Sequence, residues 1–335
     1  MTKFKPPEPK TEFLERMELL LPEKEDYKKY LETIKSPAPK SIRVNKIKIS
    51  SENLFNKLVD KGWKVRQPWK DYPEIIIVDG DKENPQSGLE PGVLGRTFEH
   101  LLGYYYVQEL SSCLPIIALK PFSNKKDSKE KFLDLCAAPG SKTTQAASEM
   151  ENQGVVIAND LSIGRIKVLA SNLERCGATN TIITKKDGIV LARELKNKGY
   201  EFDKILVDAP CSGEGTLRSS PKTALMWNIK TVKGIRGIQK KLAESAFELL
   251  KPSGEMIYST CTHAPEENEE IVDHLLKKYG EKIGIEKIEL PLKTRKGIIS
   301  WQEEEYDERV KYAHRIYPQD NNTDGFFLAK LKKIK

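Results

Sequence analysis

The sequence predicts an α/β fold, a doubly wound sheet preceded by a smaller α+β domain. Three observations predict it. From about residue 101, strand-like and helix-like segments alternate; three successive strand candidates end in an acid, at Asp160, Asp187 and Asp208; and the first hundred residues follow a different rhythm. The domains are therefore expected to span 1–100 and 101–335.

In the first part, TEFLERMELLL places Phe13, Leu14, Met17, Leu20 and Leu21 on one helical face, with Pro22 after it. A second short helix is expected from Glu25 to Ile34. SIRVNKIKIS carries Ile42, Val44, Ile47 and Ile49 in near alternation and reads as one strand. Ser50 or Ser51 can cap a helix holding Leu54, Phe55, Leu58 and Val59, with Gly62 behind it. EIIIVDG is a further strand, and Asp79 to Gly95 a connection.

The second part opens with a helix in YVQELSSCLPIIAL, which Pro115 should kink or delay. KFLDLCA, GVVIAND, NTIITKKD and KILVDAP then read as strands separated by helices. A long helix near 232–250, the strand GEMIYSTC, the helix EENEEIVDHLLKKY and strand-like KIGIEKIEL and GFFLAKLKK complete the chain. Repeated βα units imply a parallel sheet whose ligands bind at the carboxyl ends of its strands.

Composition narrows the function classes. The 335 residues carry a net charge of +7, with 38% hydrophobic and 31% charged side chains. The excess of cations is spread out, which permits a nucleic-acid partner without demanding one. The apolar stretches are short, as in Ile75–Val78, and MTKFKPPEPK lacks a signal-type apolar segment, so no membrane partner and a cytoplasmic location are expected. None of the five cysteines stands at CxxC spacing, so no metal site is expected.

The first sheet strand leads into Asp134-Leu135-Cys136-Ala137-Ala138-Pro139-Gly140-Ser141-Lys142-Thr143. A Walker loop would need glycines where Ser141 and Cys136 stand, and GxGxxG fails because Gly140 is alone. What remains is a small-residue turn that lets backbone approach a ligand and offers helix-start N–H groups to a carboxylate. Asp160 follows about twenty residues later, where an acid can accept ribose hydroxyls. Each of Asp160, Asp187 and Asp208 could instead cap a helix, but three in succession fit an adenosine cradle better. Arg165, one turn into the next helix, can steady the loop. Cys211 follows Asp208 at the end of the fourth strand and Cys261 ends the fifth, and two thiols at such positions are hard to explain as packing.

DLCAAPGSKT, DAPCSGEGTLR and STCTHAPEENEEIV together resemble the Nol/Nop/Sun family of RNA (cytosine-5)-methyltransferases, including its archaeal-type tRNA members. YVQELSS, ANDLSIGRIKVL, RIYPQDNNTDGFFLAK and PKSIRVNKIKI support the resemblance, which extends over most of the chain from about residue 22. It implies a class I (Rossmann-like) methyltransferase domain, an N-terminal RNA-binding domain and S-adenosyl-L-methionine as cofactor. Carbon 5 of cytosine is a poor nucleophile, and a thiolate adding at carbon 6 turns it into an enamine-like one. By the resemblance Cys261 is that nucleophile, Cys211 assists breakdown of the adduct, and Asp208 contacts N3. DNA cytosine methyltransferases use a PC cysteine instead, so the residues alone leave the choice open and the resemblance decides it.

The resemblance also implies that Cys136, Ala137, Ala138, Pro139, Gly140, Ser141 and Lys142 bind the methionine part. Asp160 would hold the ribose, Asp187 the adenine side and Asp208 the neighbourhood of the sulfonium. Two departures stand out: Ser141 where glycine is common, and Gln319 after Pro318 where histidine is frequent. The expected partner is RNA, with tRNA favoured over ribosomal RNA because the chain is compact and resembles the small archaeal-type members of the family, and a monomer is expected. A non-catalytic RNA-binding assembly factor is the reading from a different class. Lys40, Arg43, Lys46 and Lys48 are candidates for phosphate contacts, and Trp63, Trp69 and Tyr104–Tyr106 for base stacking, against the commoner readings as a solvated face and core. His263 reads as a solvated loop residue.

Overall fold

A computed structural model describes residues 7–80, 89–90 and 92–335. The chain forms two compact units, one of residues 39–206 and one joining the segment up to Ala38 to Val207–Lys335. The strand Phe202–Asp208 carries the chain from the first into the second. Most of the expected 79–95 connection lies outside the described residues.

In the 39–206 unit, Lys40–Val44 is flanked by Ile75–Gly80 and Tyr105–Val107, and Lys64–Arg66 adds to Ile75–Gly80, giving a four-stranded antiparallel sheet. Ile42 faces Ile76 on one neighbour and Val107 on the other. Its buried face packs Ile42, Val44, Ile76, Val78 and Tyr105 against Leu54 and Leu58 of the helix Ser51–Asp60, whose start is capped by the Ser50 hydroxyl. The strand expected through Ile49 ends at Val44. Apolar residues there jump from Val44 to Ile47, which breaks the two-residue period, and buried Asn45 turns the chain by donating to the carbonyls of Gly103 (2.8 Å) and Cys176 (2.7 Å).

Of the four basic residues of this segment, Lys40, Lys46 and Lys48 are exposed, as a solvated face requires, and Arg43 is not. Arg43 is 1% exposed, and its guanidinium donates to Ser141 O (2.6 Å), to Thr144 Oγ1 (2.9 Å) and to the Gln108 side chain. Lys46 pairs with Glu149 at 3.0 Å, and Lys48 Nζ donates to Leu102 O and Arg175 O. Trp69, Tyr105 and Tyr106 are buried, while Trp63 and Tyr104 pack half-buried on the sheet core, so the core reading holds for these aromatics.

The same unit holds parallel strands. Lys131–Asp134 lies between Val155–Asp160 and the 202–206 segment, and Thr181–Lys185 pairs beyond Val155–Asp160. The helices Ser141–Glu149, Ile163–Cys176 and Gly188–Asn197 connect them. YVQELSSCLPIIAL starts its helix late: Tyr105–Val107 is strand, and Leu114–Leu119 opens with Pro115 in its first turn, where the missing N–H costs nothing.

In the second unit the pairing becomes antiparallel. Leu250–Thr260 pairs with Phe326–Lys333, so that Tyr258 faces Ala329, and His314–Ile316 and Ile283–Ile285 add to Phe326–Lys333. The parallel rhythm expected from residue 101 therefore gives way in the closing strands, and KIGIEKIEL contributes only three strand residues. The helices Thr11–Leu20 and Lys24–Ile34 pack here, with Phe13, Met17, Leu21, Tyr30 and Ile34 against Leu217, Trp227, Ala264 and Tyr317. Arg16 meets Glu266 at 2.8 Å, and Arg295 binds Asp26 and Asp320. Gln319 donates to the same Asp26 (3.1 Å), so its side chain serves this helix contact. No helix among the described residues is long and apolar enough to cross a membrane.

Candidate active site

The chemistry-bearing residues fall in both units. In the 39–206 unit, the turn after Lys131–Asp134 is tied down through its carbonyls. Ala137 O accepts from Gly140 N (2.8 Å), Ala138 O from Arg165, Pro139 O from Asn172 Nδ2 (2.9 Å), and Ser141 O from Arg43. The negative ends of these peptides are thus engaged, while the first-turn N–H groups of Ser141–Glu149 have no carbonyl partner within the helix. Gly140 makes the turn with φ +105°, and a Cβ there would meet Leu169 Cδ1 at 2.9 Å. Ser141 is already helical, so its departure from glycine carries no backbone strain.

Asp160 is 3% exposed and accepts from the Ala138 N–H (3.3 Å) and the Ser162 N–H (3.0 Å), with Arg165 Nη1 at 3.2 Å. Arg165 therefore touches both the acid and the turn. Asp187 is exposed and caps Gly188–Asn197, accepting from Ile189 and Val190 through Oδ1. Lys142 is buried and donates to Ser112 Oγ at 3.1 Å. Small residues, first-turn N–H donors and a buried carboxylate are the donor set that an amino acid joined to a nucleoside requires, so these residues fit the expected cofactor. Asn159 carries no signal in the sequence. It stitches the strand ends by donating to Leu135 O and Lys186 O, while its own carbonyl accepts from the Ala137 N–H (2.7 Å).

In the other unit the two thiols meet: Cys211 Sγ and Cys261 Sγ are 3.2 Å apart, both half-buried. The contact with Cys261, and then burial, pushes the Cys211 thiol well above the usual range, so Cys211 keeps its proton at neutral pH. Cys113 and Cys176 are buried, and burial pushes Cys113 up to about 12, which leaves it an inert core thiol. Asp208 accepts from Ser259 Oγ at 2.8 Å.

The loops bearing the thiols are fixed by residues that sequence reasoning missed. Asn268, fully buried, accepts from Thr260 Oγ1 (2.5 Å) and donates to Thr262 O (3.0 Å), bracketing Cys261. Ser212 and Thr262, the neighbours of the two cysteines, share a hydroxyl contact of 2.8 Å. Gly215 donates to Cys261 O at 2.9 Å. Glu267 accepts from the Ser212 N–H and from Gln239, and burial, its largest influence, pushes its carboxyl up to about 7. The acid-rich HAPEENEE segment was a signal for Asn268 and Glu267; Gln239 had none.

His263 is not solvated. It is 2% exposed, stacked on Tyr317 with ring centroids 5.0 Å apart and edge-on to Tyr30. Burial, and then the charge of Arg315, pushes its imidazole down to about 3, so it is neutral at physiological pH.

Comparison with known proteins places this geometry in context. Residues 117–332 match the sequence pattern of a family described as 16S rRNA methyltransferase RsmB/F, and residues 10–110 match the N-terminal domain of 16S rRNA methyltransferase RsmF. Ribosomal RNA small subunit methyltransferase F of Vibrio atlanticus (strain LGP32) is 39% identical over 324 residues, covering 96% of this chain and 63% of that protein. The protein of the same name from Vibrio cholerae is also 39% identical, over 98% of this chain and 64% of its own length. The chain thus spans less than two thirds of these curated relatives. A methyltransferase homologue from Pyrococcus horikoshii superposes with a TM-score of 0.78 at 31% identity, over 97% of this chain and 99% of that one. NSun6 from the same organism, solved with SFG, gives a TM-score of 0.77 at 26% identity, covering 97% of this chain and 98% of that one.

Proposed function

The chain belongs to the 16S rRNA methyltransferase RsmB/F family, and on that premise we propose that it methylates carbon 5 of a cytosine in ribosomal RNA, with S-adenosyl-L-methionine as methyl donor and a covalent Cys261 adduct as intermediate. The contact between Cys211 and Cys261 carries this reading. Methylation of an amino or carboxyl group needs no thiol, whereas cytosine C5 needs one thiol to add and a second acid–base group to finish.

The cofactor supplies an electrophilic methyl group. The first-turn N–H groups after Gly140 would hold its carboxylate, Asp160 its ribose and Asp187 its adenine side. Cys261, as thiolate, forms a bond to C6 and pushes the ring electrons towards C5. Asp208 steadies the ring through a proton shared between its carboxyl group and N3, where negative charge develops. After C5 carries the methyl group and Cys261 is bonded to C6, the Cys211 thiol gives its proton to solvent water and, as thiolate, takes the C5 proton. The C6–S bond then breaks, returning its electron pair to Cys261 and restoring the aromatic ring. Removing the target base from its stack is a cost the RNA-binding surface must offset.

We take ribosomal RNA in place of the tRNA expected from compactness and the archaeal-type resemblance; the names of the family and of the curated relatives, which refer to the small ribosomal subunit, support this reading. Compactness carries little weight against that, since the chain spans only 63% of the first of these relatives. Residues 1–100 are read as an RNA-binding domain, supported by the match of 10–110 to an RsmF N-terminal domain.

The test is incubation with labelled cofactor and either small-subunit ribosomal RNA or total tRNA, followed by mapping of 5-methylcytosine. Label confined to ribosomal RNA is expected, and label confined to tRNA overturns the substrate. With 5-fluorocytosine at the target, proton loss is blocked and the RNA should remain attached to the protein. An attachment that survives Cys261→Ala overturns the nucleophile.

A further inference from the structure

Among the described residues, Glu267 and Gln239 stand apart from the groups expected to touch cofactor or base, yet both close on the loop that carries Cys211. Gln239, on the helix Ile229–Glu248 and fully buried, donates through Nε2 to Pro210 O at 2.8 Å and to Glu267 Oε2 at 2.9 Å. The same Oε2 accepts from the Ser212 N–H at 2.9 Å. One carboxylate oxygen and one amide nitrogen therefore grip the peptides on both sides of Cys211. The backbone of Glu267 is itself anchored, because Tyr258 OH donates to its carbonyl at 2.6 Å from the strand that ends next to Cys261.

A core that merely needed filling would use apolar side chains here, since burying a carboxyl and an amide is costly unless they bond to something specific. Here the specific thing is the Cys211 loop. Glu267 Oε1 has no hydrogen-bond partner, so the carboxyl is retained with half of its capacity unused. The other oxygen holds the loop.

We propose that Glu267 and Gln239 are positioning residues that set the Cys211 thiol for release of the covalent adduct, and that they leave formation of the adduct by Cys261 largely untouched. This inference rests on the proposed function, in which Cys211 acts after methyl transfer. The step it serves balances as already written: the C5 proton passes to the Cys211 thiolate and the C6–S electron pair returns to Cys261. A positioning effect on that step is of the size that misplacement of a reacting group by about 1 Å produces, on the order of a hundredfold.

The test uses the full chain with its RNA substrate and S-adenosyl-L-methionine, following covalent protein–RNA complex and 5-methylcytosine in single-turnover experiments. Glu267→Ala and Gln239→Ala, on separate elements, should form the complex within about threefold of the unaltered rate and release it at least about tenfold more slowly, so that the complex accumulates with ordinary cytosine. Glu267→Gln keeps an acceptor for the Ser212 N–H and should restore most of the release rate. Loss of formation and release together, or unchanged release in both alanine variants, overturns the inference, as does failure of Glu267→Gln to restore release. Cys211→Ala run alongside separates the two levels of argument. If it accumulates complex and the clamp variants do not, only the clamp fails; if it accumulates none, the role given to Cys211 fails first.

Discussion

The guanidinium of Arg43 donates to the carbonyl oxygen of Ser141 at 2.6 Å, joining residues 98 positions apart in the chain. The same group reaches Thr144 Oγ1 and the Gln108 side chain through its two terminal nitrogens. A strand of the antiparallel sheet therefore holds the start of the helix that follows the cofactor turn. A buried guanidinium with three acceptors is an arrangement whose removal leaves several groups without partners.

Arg43→Ala should accordingly cost about 3 kcal/mol of stability, measured by urea unfolding, and weaken cofactor binding by calorimetry. Arg43→Lys keeps the charge but cannot reach three acceptors from one ammonium, so it should recover only part of the loss. If both variants bind cofactor as the unaltered protein does, Arg43 has no hold on the turn.

What the sequence made legible follows the same division. Alternation of strands and helices is a local pattern, and it marked Lys131–Asp134, Val155–Asp160 and Thr181–Lys185 well. Arg43 looked like a solvated cation because its strand alternates, and only the tertiary fold supplies the Ser141 carbonyl that draws it inside. His263 shows the same blindness, since its burial depends on Tyr30 and Tyr317, far from it in the chain. The thiol pair was visible as two residues at strand ends, but Gln239 was not, because a glutamine within a long helix has no pattern of its own.

The pH dependence of stability should show two opposing groups. His263 is held near 3 in the fold against 6.5 when free, so the unfolded chain binds the extra proton between those values. Its contribution is fully present above pH 6.5 and is lost as pH falls towards 3. Glu267 runs the other way. Its carboxyl is raised to about 7 from 4.5, so its contribution is present below 4.5 and lost as pH rises through 7. His263→Phe keeps a ring to stack on Tyr317 and removes the titrating imidazole. At pH 5 it should gain about 2 kcal/mol over the unaltered protein relative to their difference at pH 8, from urea unfolding at both values. An equal difference at the two pH values would show that the imidazole is not held neutral.

The backbone behind Cys261 has no room for a side chain at Gly215. Its N–H donates to Cys261 O, its carbonyl accepts from the Gly325 N–H at 2.8 Å, and a Cβ at this position would sit 2.3 Å from Gly325 O. The obstruction is backbone, so no rotamer change relieves it, and Gly215→Ala must move the turn Glu214–Thr216 against the segment leading into Phe326–Lys333. Displacing Cys261 by about 1 Å should slow formation of the covalent complex by on the order of a hundredfold, while overpacking costs about 2 kcal/mol of stability. Gly213→Ala is the informative control. Its Cβ meets nothing closer than Thr216 Oγ1 at 3.5 Å, so only its φ of +76° is penalised, at about 1 kcal/mol. The control should therefore lose about half as much stability yet form the complex within a few-fold of the normal rate. Equal slowing in both variants would trace the effect to general destabilisation instead of the close approach of Gly215 and Gly325.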